Sequence, residues 1–191
     1  MNYFARLREL DDAGSLLVPV ERRVMILTGQ SSLRAARLSP AQEAFLDAVT
    51  PPGWTALRAG FPYHAAMTGA AFEETSMIGA SWRNAAQVAM SMASGEYREV
   101  VRRVLQRAMD TTEERLRIVT GSCGLQLLNC VWEELRGEAE VLALGPACFG
   151  KLRVPAEVVM GDRDGWSRLF YRGRVDRRVR GGHLDYWEVV R

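Results

Sequence analysis

The sequence is short of several residue types, and each shortage narrows what the chain can do. Of its 25 basic residues, Lys151 is the only lysine, a bias that reads as codon usage rather than function. Against 23 Asp and Glu the formal net charge is +2, so the basic excess of a dedicated nucleic-acid binder is lacking. No apolar run approaches the ~18–20 residues of a membrane span. The start, MNYFARLRELDDAG, carries Arg6, Arg8, Glu9, Asp11 and Asp12 where a secretory signal needs an apolar core. A cytoplasmic protein without a membrane partner is expected. The cysteines, Cys123, Cys130 and Cys148, are odd in number and show no CxxC spacing, supporting neither a disulfide framework nor a structural zinc site. Only two histidines occur, so His64 and His183 are the two candidates for any histidine chemistry.

What is present is ordinary for a globular chain: 48% hydrophobic and 25% charged residues over 191 positions, enough for one core. Without a repeat, low-complexity block or long linker, residues 1–191 read as a single domain. Short apolar runs alternate with helix-like segments, which predicts an α/β fold with a mainly parallel sheet of about six strands. The strands are Arg23–Thr28, Trp54–Ala59, Arg115–Thr120, Val141–Leu144, Glu157–Met160 and Val175–Arg180. Helices are predicted near Ala41–Val49, with Ser39 as N-cap and Pro40 at the first position, over Glu96–Met109, over Cys123–Leu135, and briefly at the C-terminus. The stretch from Phe61 to Gly95 shows no regular period.

The most informative segment is Leu116–Leu128, LRIVTGSCGLQLL, an apolar strand running through Thr120-Gly121-Ser122-Cys123-Gly124 into an amphipathic helix. Small residues on both sides of a serine permit a strained strand-to-helix turn that lifts the hydroxyl above the sheet. The amides at the start of the following helix would favour developing negative charge there. Further on come Val154–Asp164 (VPAEVVMGDRD), an apolar strand running into two aspartates, and then Gly181-Gly182-His183 beyond the last strand.

Serine, aspartate and histidine in this chain order, each at a strand end, resemble the α/β-hydrolase superfamily from about Arg22 to the C-terminus. The resemblance implies Ser122 as nucleophile, His183 as base and Asp164 as the acid that orients it. It also implies an oxyanion hole of backbone amides, from Cys123 and from Gln30 in the loop after the first strand. Thr28-Gly29 stands where the family has His-Gly, and Thr120 where the serine turn has its first glycine. The activity implied is hydrolysis of a carboxylic ester or thioester, with no metal or organic cofactor. The alternative is a non-catalytic hydrolase-like protein that binds a small molecule or a protein partner.

Other residues carry competing readings. Cys123 is a rival nucleophile, but centring the turn on it puts bulky Leu125 at a flank. Asp162 is the rival acid or a turn cap, and Asp162, Asp164 and His183 together are too few for a metal site. Gly29, His64 and Trp82 are candidate substrate contacts, with His64 read first as structural and Trp82 first as core. Arg98, Arg102 and Arg103 line one face of helix Glu96–Met109, either a solvated surface or a dock for an acyl carrier protein.

Overall fold

In the computed structural model, residues 3–29, 36–68 and 77–190 are described, with side chains from residue 84 onward in the last segment. Six strands form one sheet: β1 (Val20–Thr28), β2 (Thr55–Leu57), β3 (Thr112–Gly121), β4 (Glu140–Leu144), β5 (Ala156–Gly161) and β6 (Arg177–Val179). Their order is β2-β1-β3-β4-β5-β6, and every neighbouring pair is parallel. The chain leaves β1 for one edge of the sheet and resumes on the other side of β1 at β3. The carboxyl ends of β1 and β3 therefore frame the crevice where such sheets take ligands.

Both faces are covered, so the central strands read as continuous apolar runs. On β1, Met25 and Leu27 enter one core cluster while Val24 and Ile26 enter the other, as the two-residue period requires. One face is packed by α2 (Pro40–Val49) and α7 (Tyr186–Val189), with Phe45 and Leu46 fully buried. Each such side chain contributes roughly 1.5–3 kcal/mol by leaving water. The other face takes α1 (Tyr3–Glu9), α4 (Gly95–Asp110) and α5 (Gly124–Asn129). The start of α2 is fixed as its sequence predicts. The Ser39 hydroxyl accepts the Gln42 amide at 3.2 Å and Gln42 reaches back to the Ser39 amide at 2.8 Å.

Three predicted boundaries are corrected. The stretch read as irregular contains a 17-residue helix, α3 (Met77–Ala93). Its period is hidden because its buried positions include polar Gln87 and Ser91, four residues apart. The helix expected over Cys123–Leu135 stops at Asn129 and resumes only as a 3-10 turn at Trp132–Glu134. Asn129 breaks it by bonding across to the chain before β5, donating to the Lys151 carbonyl at 3.1 Å and accepting the Arg153 amide at 2.7 Å. The edge strand β2 is three residues long rather than the six of Trp54–Ala59. Among the described residues, no helix is long and apolar enough to cross a membrane.

Candidate active site

Ser122 stands at the tip of the turn between β3 and α5 with φ of 51°, a left-handed backbone that costs a side-chain-bearing residue on the order of 1–3 kcal/mol. The turn is held from outside. The Ser122 amide donates to the Leu144 carbonyl at 3.2 Å, and its own carbonyl accepts the Ala147 amide at 3.0 Å. Gly124 lets the chain turn so sharply into α5, because a Cβ there would overlap the Leu27 carbonyl of β1. Thr120, where a glycine was the expected pattern, is accommodated inside the β3 ladder opposite Leu27, with its hydroxyl buried.

Asp164 follows β5 and caps α6 (Gly165–Phe170), accepting the Ser167 amide at 2.8 Å. His183 follows β6 on the loop before α7. Its Nδ1–H donates to Asp164 Oδ2 at 3.0 Å, and its Nε2 faces the Ser122 hydroxyl at 3.1 Å. Three residues from three strand ends thus form one continuous hydrogen-bonded chain. The Asp164 side chain is fully buried while that of His183 is 25% exposed, so the chain opens to solvent at its serine end. Burial pushes the Asp164 carboxyl upward, but donors from His183, Ser167 and Tyr186 outweigh it and hold the group well below the usual carboxylate range.

The rival readings separate on geometry. The exposed Asp162 carboxylate accepts the Gly181 amide at 3.0 Å, tying the histidine loop to the acid loop without touching the imidazole. Cys123 is buried, which pushes its thiol up to about 12, and the Gly29 amide is directed at its sulfur. A neutral, enclosed thiol is a poor nucleophile. The Cys123 amide, by contrast, donates to no backbone carbonyl among the described residues. Gly29 lies against the turn, where a Cβ would overlap Cys123 Sγ and Asn84 Oδ1. Gln30 lies outside the described residues, and so does the side chain of Trp82, whose backbone belongs to α3.

His64 makes its hydrogen bonds away from this group. Its Nε2–H donates to the Asp11 carbonyl at 3.0 Å and its Nδ1 accepts the Ala66 amide at 3.2 Å, so one nitrogen holds the N-terminal segment and the other caps the turn that follows His64. Of the arginines on α4, Arg98 donates to the Ser91 and Met92 carbonyls at the end of α3, and Arg102 makes a two-pronged pair with Glu99 at 2.7 and 2.6 Å. Among the described residues, no cluster of histidine, cysteine or carboxylate groups has the make-up of a metal site.

Sequence reasoning missed two partners of the acid. Ser167 donates its hydroxyl to Asp164 Oδ2 at 2.6 Å, and so does Tyr186, also at 2.6 Å. The Asp164-x-x-Ser167 spacing is a helix-capping signal that points to the first. No local signal marks the second. Also missed was an aromatic row beside the histidine: Trp166 packs on Phe170 at 4.7 Å, Phe170 on Phe149 at 5.5 Å, and Trp166 sits 6.5 Å from His183. Trp166 and Phe149 are 45% and 41% exposed.

The strand order, the parallel ladder and the covering helices define an α/β fold with a six-stranded parallel sheet and a sharp serine turn at a strand end. No family model matches the chain, and no curated protein matches it. Among solved structures it is similar to a dienelactone hydrolase from Anabaena variabilis. The TM-score is 0.46 at 14% identity, and the match covers 87% of this chain and 79% of that one. So distant a likeness transfers neither residue roles nor substrate.

Proposed function

We propose that this protein is a serine hydrolase that cleaves a carboxylic ester or thioester through an acyl-enzyme on Ser122. The observation that carries the reading is the chain from Ser122 Oγ to His183 Nε2 at 3.1 Å and from Nδ1 to a buried Asp164 at 3.0 Å, with the serine in a left-handed turn. A serine hydroxyl is a weak nucleophile until a base takes its proton during attack, and Nε2 is within reach of that proton. Oγ bonds to the substrate carbonyl carbon as His183 gains the proton. The resulting oxyanion is stabilised by the Cys123 amide, with the loop after β1 supplying the second donor. Collapse expels the alcohol or thiol, which takes the proton from His183. Water, deprotonated by His183, then releases the acid and restores Ser122. Asp164 stays ionised throughout and holds the imidazole with Nδ1 protonated.

The row Trp166, Phe170 and Phe149, exposed at Trp166 and Phe149, flanks the histidine, the group that protonates the leaving group. It supports an ester with an apolar or aromatic substituent on that side. Docking of an acyl carrier protein on Arg98, Arg102 and Arg103 is a separate proposal, and the engagement of Arg98 and Arg102 within the chain weakens it. Reversing Arg102→Glu and Arg103→Glu tests it, since only turnover of carrier-bound substrate should fall.

A fluorophosphonate probe tests the main reading. Covalent labelling that is lost in Ser122→Ala and strongly reduced in His183→Ala supports it. A folded protein that is not labelled would instead be a non-catalytic binder of a small molecule or partner.

A further inference from the structure

His183 and Asp164 arrive on separate loops, and a working pair needs those loops locked together to a few tenths of an ångström. Tyr186 lies three residues beyond His183, at the start of α7, and is almost wholly buried. Its hydroxyl accepts the Gly161 amide at 2.7 Å from the end of β5 and donates to Asp164 Oδ2 at 2.6 Å. Its ring is seated against Gly145 at the end of β4, where the backbone is left-handed and any Cβ would overlap the ring. We propose that Tyr186 is a positioning residue: its hydroxyl clamps the histidine segment to the acid, so that carboxylate and imidazole hold one arrangement toward Ser122.

The role differs from that of Ser167, the other side chain on the same oxygen. Ser167 belongs to α6, the helix that Asp164 itself caps, and its hydroxyl bonds Asp164 at 2.6 Å with His183 Nδ1 at a longer 3.3 Å, so it chiefly fixes the carboxylate relative to its own helix. Tyr186 shares a turn with His183, so its bond spans the two loops that must stay in register. The Ser167 amide holds Oδ1 at 2.8 Å while the Tyr186 hydroxyl holds Oδ2, and with both in place the carboxylate cannot rotate. The other charged groups of the loops face elsewhere: Asp185 accepts the Gly182 amide at 2.7 Å, and Asp162, beside Arg163 and Arg180, accepts that of Gly181. Burial first, and then the Asp164 carboxylate, push the Tyr186 phenol upward, keeping it a proton donor.

The test compares wild type, Tyr186→Phe and Ser167→Ala by ¹⁵N imidazole spectra and by fluorophosphonate labelling. With only two histidines in the chain, the His183 signals are separable from those of His64. In Tyr186→Phe the share of the Nδ1–H tautomer of His183 should fall, and the labelling rate should drop about tenfold with KM for an ester nearly unchanged, as expected when a reacting group is slightly displaced. Ser167→Ala should lose less on both readouts. A folded Tyr186→Phe with the wild-type nitrogen pattern and a labelling rate within about twofold would overturn the proposal, as would an equal loss in Ser167→Ala.

If Tyr186→Phe does not fold, the wild-type protein decides. A slowly exchanging Tyr186 hydroxyl proton with a nuclear Overhauser contact to the Gly161 amide supports the clamp, and its absence overturns it. The inference rests on the serine-hydrolase reading only in its labelling arm. A wild type that is never labelled defeats that reading, while the nitrogen spectra still decide the role of Tyr186.

Discussion

The two histidines of this chain both have two bonded ring nitrogens, yet their surroundings give them opposite capacities. His64 is spent mainly on backbone: Nε2–H donates to the Asp11 carbonyl at 3.0 Å, with the Asp11 carboxylate farther off at 3.4 Å, and Nδ1 accepts the Ala66 amide. A proton added to Nδ1 would set two donors against each other and lose the Ala66 bond. His183 instead lies between a carboxylate and a hydroxyl. In the proposed reaction Nε2 takes the Ser122 proton and changes from acceptor to donor, the Nδ1–H bond to Asp164 becomes charge-assisted, and no bond is lost. An imidazole is fitted for proton transfer by partners that tolerate both of its states.

The comparison breaks most visibly in activity. Ser122→Ala or His183→Ala should lower kcat for an ester substrate by on the order of 10⁴-fold or more, the two losses being far from additive because the residues act as a unit. His64→Ala should leave kcat within about threefold of wild type, since no reacting group loses a partner. Steady-state rates on one p-nitrophenyl ester decide this, and an equal loss in the His64 variant would undo the distinction.

Asp164→Asn comes next, with an expected loss of roughly 10³–10⁴-fold, because an amide can stabilise the wrong tautomer of His183. The same variant carries a pH signature. The Asp164 carboxyl is held below its ordinary range, so its unfolded value of ~3.9 lies above the folded one. The stability it confers is therefore complete above that value and is lost as the pH falls through the folded one. Urea midpoints measured from pH 7 to pH 3 should show wild type losing part of its margin over Asp164→Asn below about pH 4. A margin that is flat with pH would mean the donors around Asp164 do not favour its ionised form.

Much of this contrast is readable before any coordinates are known. The serine turn is legible because small residues must surround a strained centre, and the order Ser122, Asp164, His183 follows from strand ends that apolar runs mark clearly. Helix α3 is not legible, because Gln87 and Ser91 on its buried side defeat a rule built on apolar spacing. The break after Asn129 depends on bonds to Lys151 and Arg153, more than 20 residues away, which no local window contains. The same limit hides Tyr186, whose value comes from meeting Asp164 across 22 positions. His64 was ambiguous for a related reason: its partner Asp11 is 53 positions away, on a segment with no strand or helix signal of its own.

The smallest expected effect divides the structural work of His64 between its two bonds. Its ring fastens residues 11–15 to the turn at 63–67, alongside backbone bonds from Leu16 to the Tyr63 carbonyl and from Ala65 to the Gly14 carbonyl, both 2.8 Å. His64→Ala strips the cap from the Ala66 amide and the donor from the Asp11 carbonyl, at an expected cost of about 1–3 kcal/mol by urea unfolding. Asparagine is an effective N-cap, and its Oδ1 can stand near the position of Nδ1, but its amide is too short to replace Nε2. His64→Asn should therefore recover about half of the loss in the alanine variant, since one of two comparable bonds is restored. If it recovers nothing, the bond to Asp11 alone secures the N-terminal segment; if it recovers everything, the cap does. Either outcome leaves kcat unchanged, because neither bond leads to Ser122.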